Sequence, residues 1–187
     1  MPRVVDHEER RWEIVFALWL VIAEQGIEGV SLRHVAAEAG VSMGRIQHYF
    51  GTKDALVLAG CTALVDRAYG GYQETADAAP CERLLHVMSQ QIPRDDAGRV
   101  GVSVWYAYVA RSINDAAVRQ VLAEARRGAE DECARLIRAD RDTSAEGALT
   151  RARRLLALAD GLTLRVLVRD LEPDEALGML GAEVGRG

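Results

Sequence analysis

Between Ser31 and Lys53 the chain reads SLRHVAAEAGVSMGRIQHYFGTK. Ile46 and Phe50 are four residues apart within it, and residues four apart share one face of a helix. Those two therefore turn inward, with Val35 and Val41 as further apolar anchors, and Met43, Arg45, Gln47 and His48 are left for the outer side. Arginine donates hydrogen bonds, and glutamine and histidine both donate and accept them, so the outward row suits recognition of a polar surface. Other chemistries find little support. His7, His34, His48 and His86 have no metal-ligand spacing, and Cys81 with His86 is a weak pair. There is no glycine-rich phosphate loop, no GxSxG and no HExxH. No metal, no cofactor and no enzymatic activity are expected.

The elements that must hold this row can be read outward from it. Ser31 is placed to N-cap a helix over Leu32–Ala39, Ser42 a second over Met43–His48, and Thr52 another that runs to about Thr75. Asp54 suits the dipole at the start of that last helix. Ala36, Ala37 and Ala39 are small enough for a close helix approach, and Gly40 supplies the positive φ of a sharp turn. Two short helices about a tight turn form a helix-turn-helix, whose second helix enters a DNA major groove. A helix over Glu8–Gln25, stopped by Gly26, precedes them.

Helical spacing dominates the rest, which predicts an all-α protein. Helices are expected from Pro80 to about 91, over Val100–Ile113, over Ala116–Ala139, over Glu146–Arg169, and from Pro173 to just before Gly181. The domains are then a three-helix helix-turn-helix domain over 1–52 and a helical regulatory and dimerisation domain over 53–187, with the fourth helix, about 53–75, as connector. Net charge is −5, and residues 1–60 hold eight acidic against six basic side chains, so DNA binding must come from a local patch. The three cysteines show no CxxC, which fits reduced thiols in a cytoplasm. The longest apolar run, Ile14–Ala23, is ten residues, short of the ~20 a membrane span takes.

The sequence resembles the TetR family of bacterial regulators in three stretches: AEQG at 23–26, GVSLRHVAAEAGVS at 29–42 and GRIQHYFGTKDAL at 44–56. From about residue 75 the likeness is looser. WYAYVARSINDAAVRQ at 105–120 and LADGLTLRVLV at 158–168 look like the BetI-type branch. The resemblance implies that Ser31 and Arg33 reach phosphates, with a base as the alternative for Arg33, and that Ser42, Met43, Gly44, Arg45 and Gln47 lie on the reading helix. Gly44 would let backbone approach the groove. Arg45 would fork onto guanine O6 and N7, and Gln47 would meet adenine or a phosphate. His48 and Tyr49 look like the family's phosphate-contacting pair, and Lys53 would clamp a phosphate at the start of the fourth helix. Two departures stand out. Gln47 occupies a position that is often aromatic, and Phe16 and Leu20 stand where polar residues are usual. With Trp12 they form a stripe that can pack on the second part of the chain or on a partner.

The resemblance further implies a homodimer on a near-palindromic operator, acting as a repressor that a small molecule releases. Trp105, Tyr106, Tyr108 and Arg126 are the candidate ligand residues, and core packing is the competing reading for the aromatics. Arg111, Arg126 and Asn114 are polar anchors to weigh, with solvent exposure the fate expected of each. Leu155, Leu158, Gly161, Leu162 and Arg165 are the candidate dimer residues, because Gly161 costs a helix ~1 kcal/mol unless it permits close contact. The Arg151, Arg153, Arg154 cluster reads as a solvated helix start. The alternative function is a helical protein-interaction module whose helix-turn-helix no longer binds DNA.

Overall fold

The computed structural model describes residues 3–71 and 77–185. Among these residues every regular element is an α-helix: α1 (Arg3–Gln25), α2 (Leu32–Glu38), α3 (Met43–Phe50), α4 (Lys53–Gly71), α5 (Pro80–Ser89), α6 (Asp96–Ser112), α7 (Ala116–Asp140), α8 (Ala145–Leu167) and α9 (Pro173–Gly185). The all-α expectation holds. Residues 72–76, into which the sequence reading extended the fourth helix, lie outside the described residues. None of the described helices is long and apolar enough to cross a membrane.

The chain forms two compact units. One takes in 1–66 together with 103–122, and the other 67–102 with 123–187. A division at residue 52 cuts ahead of α4, whereas most of α4 and the corner where α6 meets α7 group with the helix-turn-helix.

In the first unit α1 packs on α2 and α2 on α3. Ile14, Leu18, Val21 and Ile22 recur at helical spacing and are buried, which leaves Trp12 and Phe16 on the outer side of α1. Trp12 stands edge-on to Trp19, with ring centroids 5.3 Å apart. The Trp19 indole N–H donates to the carbonyl of Gly60 on α4 at 3.1 Å. A Cβ on Gly60 would lie 2.5 Å from both Leu18 Cδ2 and the Tyr108 hydroxyl, so glycine is what lets α4 approach. Tyr108 is wholly buried, and burial, with the Cys61 thiol nearby, pushes its phenol above the ordinary range.

In the second unit α5, α7, α8 and α9 share one core. On α8 the buried positions Ala148, Ala152, Leu155, Ala159, Leu162 and Val166 follow a single helical face. The opposite face keeps Leu164 at 48% exposure and Val168 at 64%. After α8 the chain reverses in a Schellman turn. Asp170 N–H donates to Arg165 O, Arg169 N–H donates to Val166 O, and Arg169 takes a φ of 62°. The basic cluster at the start of α8 is part solvated and part structural: Arg153 and Arg154 are exposed, as expected of a helix start, and Arg151 is half-buried. Arg151 donates to the carbonyls of Glu183 and Val184 at 3.0 and 3.2 Å, Arg141 donates to Val184 O at 3.0 Å, and Arg153 binds Glu130 at 2.8 Å. Two guanidiniums thus satisfy the last carbonyls of α9, where a cation also meets the negative end of the helix dipole. This accounts for an extent greater than the sequence predicts: α9 runs through Gly181 to Gly185.

Candidate nucleic-acid interface

Caps set the ends of the short helices in the helix-turn-helix. Ser31 Oγ accepts the His34 N–H at 3.1 Å and opens α2. At its far end Val41 N–H donates to Ala36 O and Gly40 N–H to Ala37 O. That pair of bonds is a Schellman motif, and Gly40 takes the positive φ it requires, 63°. Ser42 Oγ then accepts the Arg45 N–H at 3.2 Å and opens α3. Gly51 closes α3 at φ 73°, and Thr52 Oγ1 accepts the Ala55 N–H at 3.1 Å to open α4. Val35 and Ile46 are wholly buried, and Phe50 nearly so.

The consequence is a reading face. Met43, Gly44, Arg45, Gln47 and His48 are exposed in one run, and Tyr49 is half-buried beside them. A Cβ on Gly44 would meet nothing within 4 Å, so the protein's own packing does not demand glycine there. Arg33 is exposed on α2, Ser31 is half-buried at its cap, and Lys53 is half-buried at the start of α4. Ser31, Ser42 and Lys53 thus stand at or beside three helix N-termini, where free N–H groups favour an anion.

One part of the face lay beyond the sequence reading. Arg10 joins Ser42, Arg45, His48 and Tyr49 around a cleft of about 500 Å³. The His7 ring lies 4.6 Å from the Tyr49 ring, and Arg11 stacks over Phe50 at 4.7 Å. The His7 contact exists because α1 begins at Arg3 rather than Glu8, and the extra length carries His7 beside α3. The basic pair Arg10–Arg11 was the available signal.

The acidic side chains of this region are partly accounted for by ion pairs. Glu13 binds Arg10 at 2.9 Å, while Glu28 and Asp54 face Arg111 at 3.3 and 3.5 Å. Arg111 is half-buried by these partners rather than solvent-exposed as expected. It also binds Asp115 at 3.0 Å. The Asp115 carboxyl is held below its usual range by the backbone N–H of Val118 and by this guanidinium.

The remaining sequence candidates fall in separate places. Trp105 and Tyr106 are half-buried on α6, and Tyr108 lies in the core of the first unit. Arg126 belongs to the second unit and binds Asp160 at 2.7 Å. A cavity of about 340 Å³ in that unit is lined by His86, Gln90, Arg94, Asp95 and neighbours, with none of the four candidates among them. Leu155 and Leu162 face the protomer's own core, Leu158 is half-buried, and Gly161 and Arg165 are exposed. Arg165 binds Asp170 at 2.7 Å. The described residues hold no group of three or more His, Cys, Asp or Glu side chains placed to share a metal ion.

Capped helices, turn glycine and outward polar row together define a helix-turn-helix regulator. The chain belongs to the TetR family: residues 17–59 match the family of bacterial regulatory proteins of tetR type, and residues 80–186 match the C-terminal region of BetI-type transcriptional repressors. It is 33% identical to the HTH-type transcriptional regulator PksA of Bacillus subtilis over 178 residues, 90% of this chain and 83% of that protein. It is 30% identical to the regulator BetI of Burkholderia ambifaria over 169 residues, 88% of this chain and 86% of that one. A transcriptional regulator from Rhodococcus sp. superimposes with a TM-score of 0.84 at 30% identity, covering 94% of each chain. A regulator from Saccharomonospora viridis, solved in complex with choline, superimposes at 0.83 and 26% identity, covering 96% of this chain and 97% of that one. The protein is a DNA-binding transcriptional regulator.

Proposed function

We propose that the protein is a cytoplasmic homodimeric repressor, without enzymatic activity, that places α3 in the major groove of each half of a near-palindromic operator. The observation that carries this reading is the split of α3 into two faces. Ile46 and Phe50 are buried, and Met43, Gly44, Arg45, Gln47 and His48 form an exposed run. Arg45 forks onto a guanine and Gln47 meets an adenine or a phosphate. Ser31, Arg33, Ser42, His48, Tyr49 and Lys53 hold phosphates and set register, and Gly44 lets the backbone approach the groove.

Dimerisation is supported by the apolar side chains that α8 and α9 leave outside, Leu164, Val168 and Met179. Leu158, Gly161 and Arg165 border that side of α8, whereas Leu155 and Leu162 support it from within. A twofold pairing of these helices matches a palindromic site. For the ligand, the choline-bound relative points to a small quaternary ammonium compound. Such a cation binds over aromatic faces, which Trp105 and Tyr106 offer. Its binding would favour a conformation whose half-site separation does not fit the operator.

The test is selection of bound duplexes from a random DNA pool by the purified protein at moderate salt. An inverted repeat, bound less tightly when choline is added, supports the whole reading. A repeat indifferent to choline removes that ligand and keeps the regulator. Recovery of no sequence by folded, dimeric protein overturns the reading in favour of a protein-interaction module.

A further inference from the structure

At the C-terminal end of α6 the guanidinium of Arg111 meets carboxylates from three other places in the chain. Glu28 Oε1, in the turn between α1 and α2, lies at 3.3 Å. Asp54 Oδ1, in the first turn of α4, lies at 3.5 Å, and Asp115 Oδ2, in the turn before α7, at 3.0 Å. Two of these acids flank the helix-turn-helix. Glu28 stands three residues ahead of the Ser31 cap, and Asp54 follows Lys53 directly.

The corner that carries Arg111 is itself closed. Asp115 Oδ1 accepts the N–H groups of Ala117 and Val118 at 3.1 and 3.2 Å, which caps α7. Arg119 donates to the carbonyls of Ser112 and Ile113 at the end of α6. One turn before Arg111, Tyr108 is buried against Gly60. The corner is thus joined to the DNA-binding helices at two points, one apolar and one ionic. Either outer pair alone is weak, because the Glu28 and Asp54 side chains are each 80% exposed. The Arg111 side chain is only 24% exposed, and its rigid fork of five N–H groups can hold several carboxylates in a fixed geometry, which a lysine's point charge cannot. Removing it would leave three carboxylates facing one another.

We propose that Arg111 is a positioning residue for DNA binding: it fastens the α6–α7 corner to both flanks of the helix-turn-helix and so sets the attitude of α3 and Lys53, without touching DNA. This rests on the DNA-binding reading above.

The test compares R111Q, R111K and the double variant E28Q/D54N with the wild type, all as the full chain. Affinity for the selected duplex is measured by fluorescence anisotropy across a salt series. Hydrogen exchange is measured on the free proteins over residues 26–33 and 52–57. R111Q should bind about five- to tenfold more weakly. Its salt dependence and base preferences should be unchanged, with faster exchange in both windows, and R111K should recover part of the loss. E28Q/D54N is the decisive arm. It removes two negative charges from the flanks of the helix-turn-helix, so bare electrostatics makes it bind more tightly, whereas the fastener makes it bind more weakly.

Wild-type affinity in R111Q overturns the proposal, as does tighter binding by E28Q/D54N. A salt slope reduced by about one also overturns it, because Arg111 is then itself a phosphate contact. Should R111Q exchange rapidly throughout, E28Q/D54N decides, since it keeps the Arg111–Asp115 pair. Should the wild type bind no duplex, the DNA-binding reading fails by itself. The exchange windows then still decide whether Arg111 holds the helix-turn-helix, and unchanged rates there refute it.

Discussion

Helices α3 and α8 solve the same problem and finish differently. Each buries one face in its own unit: Ile46 and Phe50 on α3, and the row from Ala148 to Val166 on α8. What each leaves outside differs in kind. α3 presents Arg45, Gln47 and His48, groups that lose little by staying in water and gain directionality against a polar partner. α8 presents Leu164 and Val168, with Met179 on α9, which gain only by leaving water. On the function proposed above, the outer face of each helix indicates its partner, nucleic acid for α3 and a second copy of the chain for α8.

The largest effect that could break this comparison is at α8. Leu164→Glu together with Val168→Glu should abolish dimerisation. Burial of each such side chain stabilises by roughly 1.5–3 kcal/mol, and a twofold interface counts each twice. Sedimentation should show a folded monomer with an unaltered helical circular dichroism spectrum. A dimer of wild-type affinity would mean that this face is not the interface. Next in size is the anchor of the reading face. Ile46→Ala should lower stability by about 2–5 kcal/mol, the range for a fully buried branched side chain. Thermal unfolding measures it, and a shift of under a degree would show that α3 is not held by this residue.

At the reading face itself the contrast lies between a proposed base contact and a proposed phosphate contact. Arg45→Ala should cost ~1–3 kcal/mol at the operator and relax preference at one base pair, while Lys53→Ala should weaken all duplexes alike and lower the salt slope by about one. Binding to the operator and to scrambled duplexes separates them. Equal loss for Arg45→Ala on every sequence would make it a phosphate contact too.

How much of this was legible follows from what each feature depends on. Ser31, Gly40, Ser42 and Thr52 act on backbone groups a few residues away, so the turn and both short helices could be read locally. α9 was cut short at Gly181 because the groups that satisfy its end, Arg141 and Arg151, are more than thirty residues distant. Leu155 and Leu162 read as interface residues from the sequence but are buried, because helical spacing locates a face without saying which face turns inward. The acidic balance of residues 1–60 was read correctly but not its partial neutralisation, since Arg111 lies far along the chain from Glu28 and Asp54.

Two glycines carry the comparison down to its smallest effect. Both sit within helices, where alanine is favoured by ~1 kcal/mol on propensity alone. Gly60 faces Leu18 and Tyr108 inside the core, and an added methyl there has no room. Gly60→Ala should therefore destabilise by about 1–3 kcal/mol through overpacking. Gly44 faces open space, so Gly44→Ala should raise stability slightly, by up to ~1 kcal/mol. Operator affinity should nevertheless fall, because the methyl occupies the gap through which the backbone meets the groove. Thermal unfolding and anisotropy on the same samples test the opposed signs. If Gly44→Ala left DNA affinity intact, the absence of a side chain at that position would have no part in recognition.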